Sequence, residues 1–317
     1  MLKARKLMNN QIKIIMYHYV RPIKGTKYND IKGLELENFK HQLDFLNKEY
    51  NIITAEEVID AVKNKKKLIN KACWLTFDDG YKDHIEYVMP ELRKRNLQGT
   101  FFIPTSVITE KNKILNVNSI HYILANTSDK NKLISELNNQ CSKFGYSESE
   151  INFYWDKYAK PNRFDIAEVI YIKRMLQHVL PENIRDKITN TMFEKFMDLS
   201  KEEFSSKIYM NKEDLLSLLK NKMFIGSHGS NHYWLNKIKL EDQEKDIQSS
   251  LDFLSNIGVS ISDWIMCYPY GAYNLDTLKI LKKKSCAIGV TTKTAVADLS
   301  KFNSLELPRF DTNDFPQ

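Results

Sequence analysis

Two adjacent carboxylates, Asp78 and Asp79, follow an apolar run and precede a glycine in the segment Leu75–Gly80 (LTFDDG). The apolar residues predict a buried strand, and the Asp-Gly step predicts a turn where that strand ends. Two neighbouring carboxylates at the mouth of a buried strand are unfavourable unless they share a cation or a proton. The pair is consistent with an ordinary turn and also with a functional site, and the rest of the chain has to decide between them.

Two histidines follow another predicted strand, in the segment Ser227–His232 (SHGSNH). His228 and His232 are four residues apart, so on a helical turn they would face the same side and could bind one metal ion. In a parallel α/β fold the carboxyl ends of the strands gather on one face, which would bring these histidines near the two aspartates. One aspartate and two histidines leave an open position, as at a catalytic zinc site, and the second aspartate is then free to act as a base.

Tyrosine-rich segments lie at the ends of two more predicted strands. The first strand, Ile12–Val20, carries Tyr17 and His18 toward its carboxyl end. Taken alone, His18 is consistent with a hydrogen-bonded core histidine and with a site residue. The segment Tyr268–Tyr273 (YPYGAY) follows a strand predicted at Trp264–Cys267.

Predicted strands and amphipathic helices alternate along two parts of the chain, which indicates parallel βαβ units. The architecture is then a barrel or an open doubly wound sheet. Neither a GxGxxG nor a GxxxxGK[ST] loop is present, so a nucleotide-binding version would lack its phosphate loop. The predicted strands are Ile12–Val20, Asn51–Ile53, the run that ends at Asp78, Gly99–Pro104, Met223–Gly226, Trp264–Cys267 and Cys286–Thr291.

The stretch 106–207 has no strand pattern and is rich in charged, helical segments. It therefore predicts a helical insertion, so that residues 1–105 and 208–317 form one domain and residues 106–207 a second. The aromatic cluster Phe153–Trp155 with Tyr158 favours a small core of the insertion over a sugar-binding surface.

Composition places the chain among ordinary globular proteins, with 317 residues, 42% hydrophobic and 27% charged. The net charge of +7 is dispersed, and the densest lysine runs, 63–67 and 282–284, follow predicted helices, which favours solvated helix ends over a nucleic-acid-binding surface. The four cysteines form no CxxC pair and predict reduced thiols. Residues 1–20 do not resemble a signal peptide, and no run reaches the ~18 apolar residues of a membrane span, so we expect a cytoplasmic protein.

The motifs TFDDG, SHGSNH and YPYGAY, in this order, resemble those of the polysaccharide deacetylase family, also described as NodB-homology or carbohydrate esterase family 4 enzymes. The resemblance extends from Ile12 to Arg309, apart from the insertion, and rests on the combination of motifs. It implies an α/β fold, a distorted (β/α)7-type barrel with a helical insertion. It also implies removal of N-acetyl or O-acetyl groups from sugars with a divalent metal, most commonly Zn2+, with Co2+ or Ni2+ as alternatives.

The resemblance also implies a role for individual residues. Asp78 corresponds to the general base, and Arg309, in the segment LPRF, resembles the arginine that pairs with this base. The backbone N–H of Tyr270 corresponds to an oxyanion donor. The metal ligands would be Asp79, His228 and His232. One wall of the substrate groove would be formed by Pro269, Tyr270 and Gly271.

One family element is missing, because many members have a C-terminal Leu-x-His whose histidine protonates the leaving amine, and no histidine follows His232 here. Tyr17 and His18 resemble the Tyr-His of the poly-N-acetylglucosamine deacetylase subgroup. This resemblance implies that His18 is the acid and that Tyr17 contacts the substrate. An amide leaving group needs such a proton more than an ester does, so the assignment favours N-deacetylation.

The function implied is removal of an N-acetyl group from an amino sugar of a surface polysaccharide or of its nucleotide- or lipid-linked precursor, with no nucleic-acid partner. Two alternatives stay open: a catalytically weak carbohydrate-binding protein on the same fold, and a hydrolase of a non-sugar C–N bond. The presence of both aspartates with both histidines favours an enzyme, because a binding protein has no need of the second carboxylate.

Overall fold

A computed structural model of the chain describes residues 8–162 and 165–316. The chain divides into two compact units. The barrel unit contains the described residues up to Pro22 together with Gly33–Lys113 and those from Ser205 onward. The helical unit contains Ile23–Lys32 and Ile114–Phe204. The sequence predicts an insertion at 106–207 and gives no indication that residues 23–32 join it.

Seven parallel strands form the continuous part of a curled nine-stranded sheet in the barrel unit. They are β1 Gln11–Tyr17, β2 Ala72–Phe77, β3 Thr100–Ile103, β4 Phe224–Ser227, β5 Ile265–Cys267, β6 Ile288–Val290 and β7 Phe310–Asp311. Two short strands also pair within this sheet, Asn51–Ile52 in parallel with β2 and Ala297–Asp298 antiparallel with β1. Their order around the sheet is β6-β5-β4-β3-β2-β1-β7, so that every strand from β1 to β6 neighbours the next one along the chain. The α/β class predicted from the alternating pattern and the (β/α)7-type barrel implied by the family resemblance are confirmed.

The segment that leads into β7 contacts both edges of the sheet. The N–H of Leu307 donates to the carbonyl of Gly289 on β6, and the N–H of Thr291 donates to the carbonyl of Leu307. Three residues later, Phe310 pairs with Ile15 on β1. Residues 307–311 therefore link the first and the sixth strand, and Arg309 lies between the two sets of contacts.

In the barrel unit the α-helices alternate with the strands as the pattern predicts. The helices are α1 Leu36–Glu49, α2 Ala55–Asn64, α3 Met89–Lys94, α4 Ser106–Thr109, α5 Asn116–Asn126, α6 Lys130–Lys143, α7 Glu148–Tyr158, α8 Ala167–Arg174, α9 Glu182–Phe196, α10 Lys201–Ile208, α11 Lys212–Lys220, α12 Leu240–Asn256 and α13 Leu275–Lys283. Helices α5 to α10, by contrast, follow one another without intervening strands.

Local sequence signals account for several helix boundaries. Thr54 and Glu57 form a capping box at the start of α2, and Asn211 caps α11 in the same way. A π-helical segment, His84–Val88, leads directly into α3. Pro90 lies in the first turn of α3, where its missing N–H breaks no helical hydrogen bond.

Shorter elements complete the description. Short strands are Met8–Asn9, Val20–Arg21, Leu34–Glu35, Asn51–Ile52, Leu68–Ile69 and Ala297–Asp298. Non-α helical turns occur at Met175–Val179, Leu235–Lys237, Pro269–Gly271, Ser304–Glu306 and Thr312–Asp314.

The aromatic cluster of the helical unit is only partly a core. Trp155 packs edge-on against the buried Tyr171, with ring centroids 5.0 Å apart, as predicted. Phe153 lies on α7 and is 57% exposed, so the prediction is wrong for this residue.

Candidate active site

The parallel register of β1 and β2 places His18 beside Asp78. Tyr17 and Phe77 are the last residues of the two strands and pair with each other. The N–H of Asp78 continues the ladder by donating to the carbonyl of Tyr17, at 2.9 Å. The side chains of His18 and Asp78 consequently meet at the carboxyl end of the barrel, with 3.9 Å between His18 Nε2 and Asp78 Oδ2.

Asp78 forms a buried bidentate ion pair with Arg309. The two guanidinium nitrogens Nη1 and Nη2 donate to Oδ1 and Oδ2 at 2.8 and 2.7 Å. Arg309 also donates from Nε to the carbonyl of Thr291 and from Nη1 to the hydroxyl of Thr76. Burial raises the pKa of Asp78, but the charge and hydrogen bonds of Arg309 outweigh it and bring the pKa to about 2. Asp78 is therefore ionised at neutral pH.

Asp79 turns away from its neighbour toward the two histidines. Its backbone has a φ of 75°, a left-handed conformation that redirects the chain directly after β2. Oδ1 of Asp79 lies 3.3 Å from Nε2 of His228 and 3.2 Å from Nε2 of His232. All three side chains are buried. The two adjacent carboxylates thus belong to two different clusters.

The sequence predicts a helical turn for the two histidines, but the structure places them on a loop. His228 follows β4, and a left-handed conformation at Gly229 and at His232 folds the loop back on itself. The carboxylate of Asp246, on α12, holds the loop by accepting from the N–H groups of Ser230 and Asn231. A Cβ at Gly229 would lie 2.5 Å from this carboxylate, so the close approach needs glycine.

Two further residues orient the ligand-type side chains and have no signal in the motifs. The carbonyl of Cys267 accepts from Nδ1 of His228 at 2.7 Å, so Nδ1 carries a proton and Nε2 is the ring nitrogen that faces Asp79. The hydroxyl of Tyr81 donates to Oδ2 of Asp79 at 2.6 Å, which leaves Oδ1 to face the histidines. The thiol of Cys267 is buried and contacts Asp78 and Arg309, so this cysteine lies within the site.

The residues around Asp79 fit a divalent cation. One ligand atom from each of Asp79, His228 and His232 can be chosen so that all lie within 4.8 Å of one another. Among the described residues, Oδ1 of Asp79 has no partner in hydrogen-bond geometry although it is buried. A carboxylate oxygen and two imidazole nitrogens that converge in this way are the ligand set of a zinc-type site with an open position.

The segment Pro269–Gly271 forms a tight turn next to this cluster. Tyr270 has a φ of 58°, and its ring packs edge-on against His232, with centroids 4.6 Å apart. Trp234 stacks on the Tyr270 ring, with centroids 4.4 Å apart and 9° between the planes. Trp234 is a neighbour that the motifs do not single out. Gly271 is left-handed, and a Cβ there would lie 2.2 Å from the hydroxyl of Thr292.

Tyr17 does not lie where a substrate-binding residue would. Its side chain is fully buried in the barrel unit, where it stacks on Phe77 at 4.9 Å and meets Phe39 edge-on. The period-two alternation of the strand explains this placement, because neighbouring side chains point to opposite faces. The expectation for Tyr17 is therefore wrong, whereas the side chain of His18 is 41% exposed.

Comparison with known proteins gives the family. A model of the family described as polysaccharide deacetylase matches residues 65–140 and 186–288, more than half of the chain. The chain belongs to this family, whose general activity is hydrolytic deacetylation of a polysaccharide. The match includes both aspartates, both histidines and Tyr270, and it excludes His18 and Arg309. A comparison with curated protein sequences finds no match.

Solved structures support the fold. The chain resembles the deacetylase PplD of Streptococcus pyogenes, solved in complex with acetate, with a TM-score of 0.59, 18% identity and coverage of 95% of this chain and 92% of that one. It also resembles IcaB of Ammonifex degensii, with a TM-score of 0.58, 15% identity and coverage of 96% and 93%. The corresponding values for the BpsB deacetylase domain of Bordetella bronchiseptica are 0.54, 13%, 95% and 96%.

The depressed pKa of Asp78 predicts a loss of stability in acid. Because its carboxylate titrates near 3.8 when unfolded and near 2 when folded, the ion pair stabilises the protein above pH 4 and is lost as the pH falls through 2. We expect the difference in the free energy of unfolding between the wild type and Asp78→Asn to decrease by about 2 kcal/mol as the pH falls from 5 to 2. Urea unfolding of both proteins measures this, and a constant difference would contradict the assignment.

Proposed function

We propose that this protein is a metal-dependent deacetylase that removes N-acetyl groups from an amino sugar of a surface polysaccharide or of its nucleotide- or lipid-linked precursor. The observation that carries the proposal is the pairing of two clusters at one end of the barrel. Asp79, His228 and His232 form a set of ligand type, and Asp78 lies next to it as an ionised carboxylate outside that set.

In this proposal Asp79, His228 and His232 hold a divalent ion, most favourably Zn2+, with Co2+ or Ni2+ as alternatives. Two imidazole nitrogens and one carboxylate oxygen suit these borderline metals. When bound, the ion supplies Lewis-acid chemistry that polarises the acetyl carbonyl and makes water more acidic. Cys267 holds the ring of His228, and Tyr81 holds the carboxylate of Asp79, in the orientation that this binding needs.

Asp78 is proposed to accept the proton of the attacking water. Its bidentate pair with Arg309 keeps it ionised and fixes the directions of both oxygens. A carboxylate with a pKa of about 2 is a weak base, so it depends on its position and on the increased acidity of the water. Arg309 is accordingly a residue that positions and ionises the base.

His18 is proposed to give a proton to the departing amine. Its side chain is partly exposed and lies 3.9 Å from Asp78, on the open side of the barrel end. An amine is a poor leaving group unless it is protonated, and general acids of this kind contribute about 10²- to 10⁴-fold to the rate. The backbone N–H of Tyr270 is proposed to donate to the developing oxyanion, and Pro269 and Gly271 hold the turn that presents it.

Deacetylation is favoured over the two alternatives. A carbohydrate-binding protein without activity would not need the Asp78–Arg309 pair, which holds a buried charge beside the ligand cluster. A hydrolase of a non-sugar C–N bond would use the same residues, so the substrate distinguishes it. Among the described residues, no helix combines the length and the apolar character of a membrane span.

Acetate release tests the function directly. We expect the purified protein to release acetate from oligomers of N-acetylglucosamine or from nucleotide-linked N-acetyl sugars, to lose this activity with a chelator, and to regain it with Zn2+ or Co2+. Metal content is measured by elemental analysis in the same preparation. Bound metal without acetate release from any sugar would favour a non-sugar amide, and the absence of both would leave the binding protein.

The two adjacent aspartates should respond differently to the same substitution. We expect Asp79→Asn to lower the affinity for Zn2+ by at least about tenfold, because an amide oxygen is a weaker ligand than a carboxylate. Asp78→Asn should keep its metal and lose at least about 100-fold in turnover. Competition with a fluorescent chelator measures the affinity, and equal loss of metal in the two variants would contradict this division of roles.

His18→Ala should separate amide from ester substrates. We expect about a 100-fold loss of acetate release from an N-acetyl sugar and little change with 4-nitrophenyl acetate, whose leaving group needs no proton. Metal content should match the wild type. Loss of metal in this variant, or equal losses on both substrates, would argue against an acid role.

A further inference from the structure

The turn that follows β2 does more than supply Asp78 and Asp79. Within the next five residues, Tyr81, Asp83 and His84 all contact the short segment His18–Arg21 that follows β1. Two stretches far apart along the chain are thus connected side by side, next to the base.

His84 anchors the backbone of His18. Its Nε2 lies 2.9 Å from the carbonyl oxygen of His18. A carbonyl oxygen only accepts, so Nε2 carries the proton and donates. The ring of His84 is fully buried among Phe77, Tyr81 and Phe101. Burial lowers the pKa of His84 to about 4, so the ring is neutral at physiological pH and acts only through this hydrogen bond.

Asp83 anchors the following residues. Its Oδ2 accepts from the N–H of Val20 at 3.2 Å and from Nε of Arg21 at 2.7 Å. Its Oδ1 accepts from Nη2 of Arg21 at 2.6 Å. Asp83 is buried, and the Arg21 side chain is only 18% exposed. A bidentate pair in such surroundings fixes geometry more firmly than a surface ion pair does.

The anchors matter because β1 ends at Tyr17, one residue before His18. Tyr19 stacks on Tyr81 with ring centroids 4.1 Å apart, which adds a third contact between the two stretches. The position of the His18 ring therefore depends on where its own carbonyl and the next two residues are held. A displacement of about 1 Å at a reacting group costs on the order of 100-fold in rate.

We propose that Asp83 and His84 are positioning residues for the general acid, holding the segment His18–Arg21 so that the imidazole of His18 reaches the leaving amine. The inference rests on the proposed role of His18. Because the same turn carries Asp78 and Asp79, the acid, the base and one metal ligand are then fixed by one continuous stretch, Asp78–His84.

The test compares His84→Phe, which keeps a ring but removes the donor, with His84→Gln, which can restore a donor from its amide. We expect His84→Phe to lower kcat on an N-acetylated sugar by about 10- to 100-fold, with KM, Zn2+ content and turnover of 4-nitrophenyl acetate near wild type. His84→Gln should recover part of the loss. Equal losses on the amide and the ester would show a general structural defect and overturn the proposal.

Asp83→Asn provides an independent variant, because it weakens the pair with Arg21 and should give the same difference between amide and ester. It decides the matter if His84→Phe does not fold. Lys82→Ala is the matched control: Lys82 lies in the same turn but pairs with Asp214, at 2.6 Å, and should leave both activities unchanged. Wild-type behaviour of Asp83→Asn and both His84 variants on the amide would overturn the proposal.

A double variant separates this inference from the proposed function. In a His18→Ala background, His84→Phe should cause no further loss on the amide, because the group that it positions is gone. An additional loss of full size would show that His84 acts by another route. If His18→Ala itself affects amide and ester equally, the acid role fails. If His18→Ala behaves as expected while the Asp83 and His84 variants do not, only the positioning role fails.

Discussion

The ion pair between Asp78 and Arg309 is the constraint on which the rest of the site depends. Both charges are almost completely removed from water, and each compensates the other through two hydrogen bonds. Removing one partner of such a pair typically costs about 3–5 kcal/mol, because the remaining charge is left buried. Arg309 lies on the segment that links β6 to β1, so one segment supplies both the counter-charge of the base and the backbone contacts that close the barrel.

Much of this arrangement follows from the sequence. The alternation of strands and helices predicts parallel βαβ units, and the resemblance of the motifs to a known family selects the barrel over an open doubly wound sheet. The ends of three strands predict which polar residues gather. The sequence is less informative about local geometry. Two histidines four residues apart suggest a helical turn. The structure instead has a loop, which is shaped by the left-handed residues Gly229 and His232 and held by the carboxylate of Asp246, and this loop brings the two rings together. Tyr17 and His18 are adjacent in a motif, but strand alternation buries the first and exposes the second.

The residues that the motifs do not identify act in one of two ways. They supply or contact a backbone group, or they contact the atom of a ligand-type side chain that points away from the other ligands. Cys267 offers a carbonyl, which every residue has, so its identity carries no signal. His84 also contacts a carbonyl, 66 positions away, and its role appears only once β1 and β2 are paired. Residues 23–32 belong to the helical unit but not to the predicted insertion. Tyr28 joins this unit through a tertiary contact with Tyr122, which the local sequence does not reveal.

The position of Arg309 along the chain has a consequence for how the protein is made. Asp78 and Arg309 are 231 residues apart, and synthesis proceeds from the amino terminus. Until the segment around Arg309 has left the ribosome, the carboxylate of Asp78 lacks the counter-charge of Arg309, and the strands of the barrel have no closing partner. The nascent chain can therefore form helices and strand pairs early, but the native burial of Asp78 must wait. The last strand to emerge completes both the fold and the charge balance of its centre.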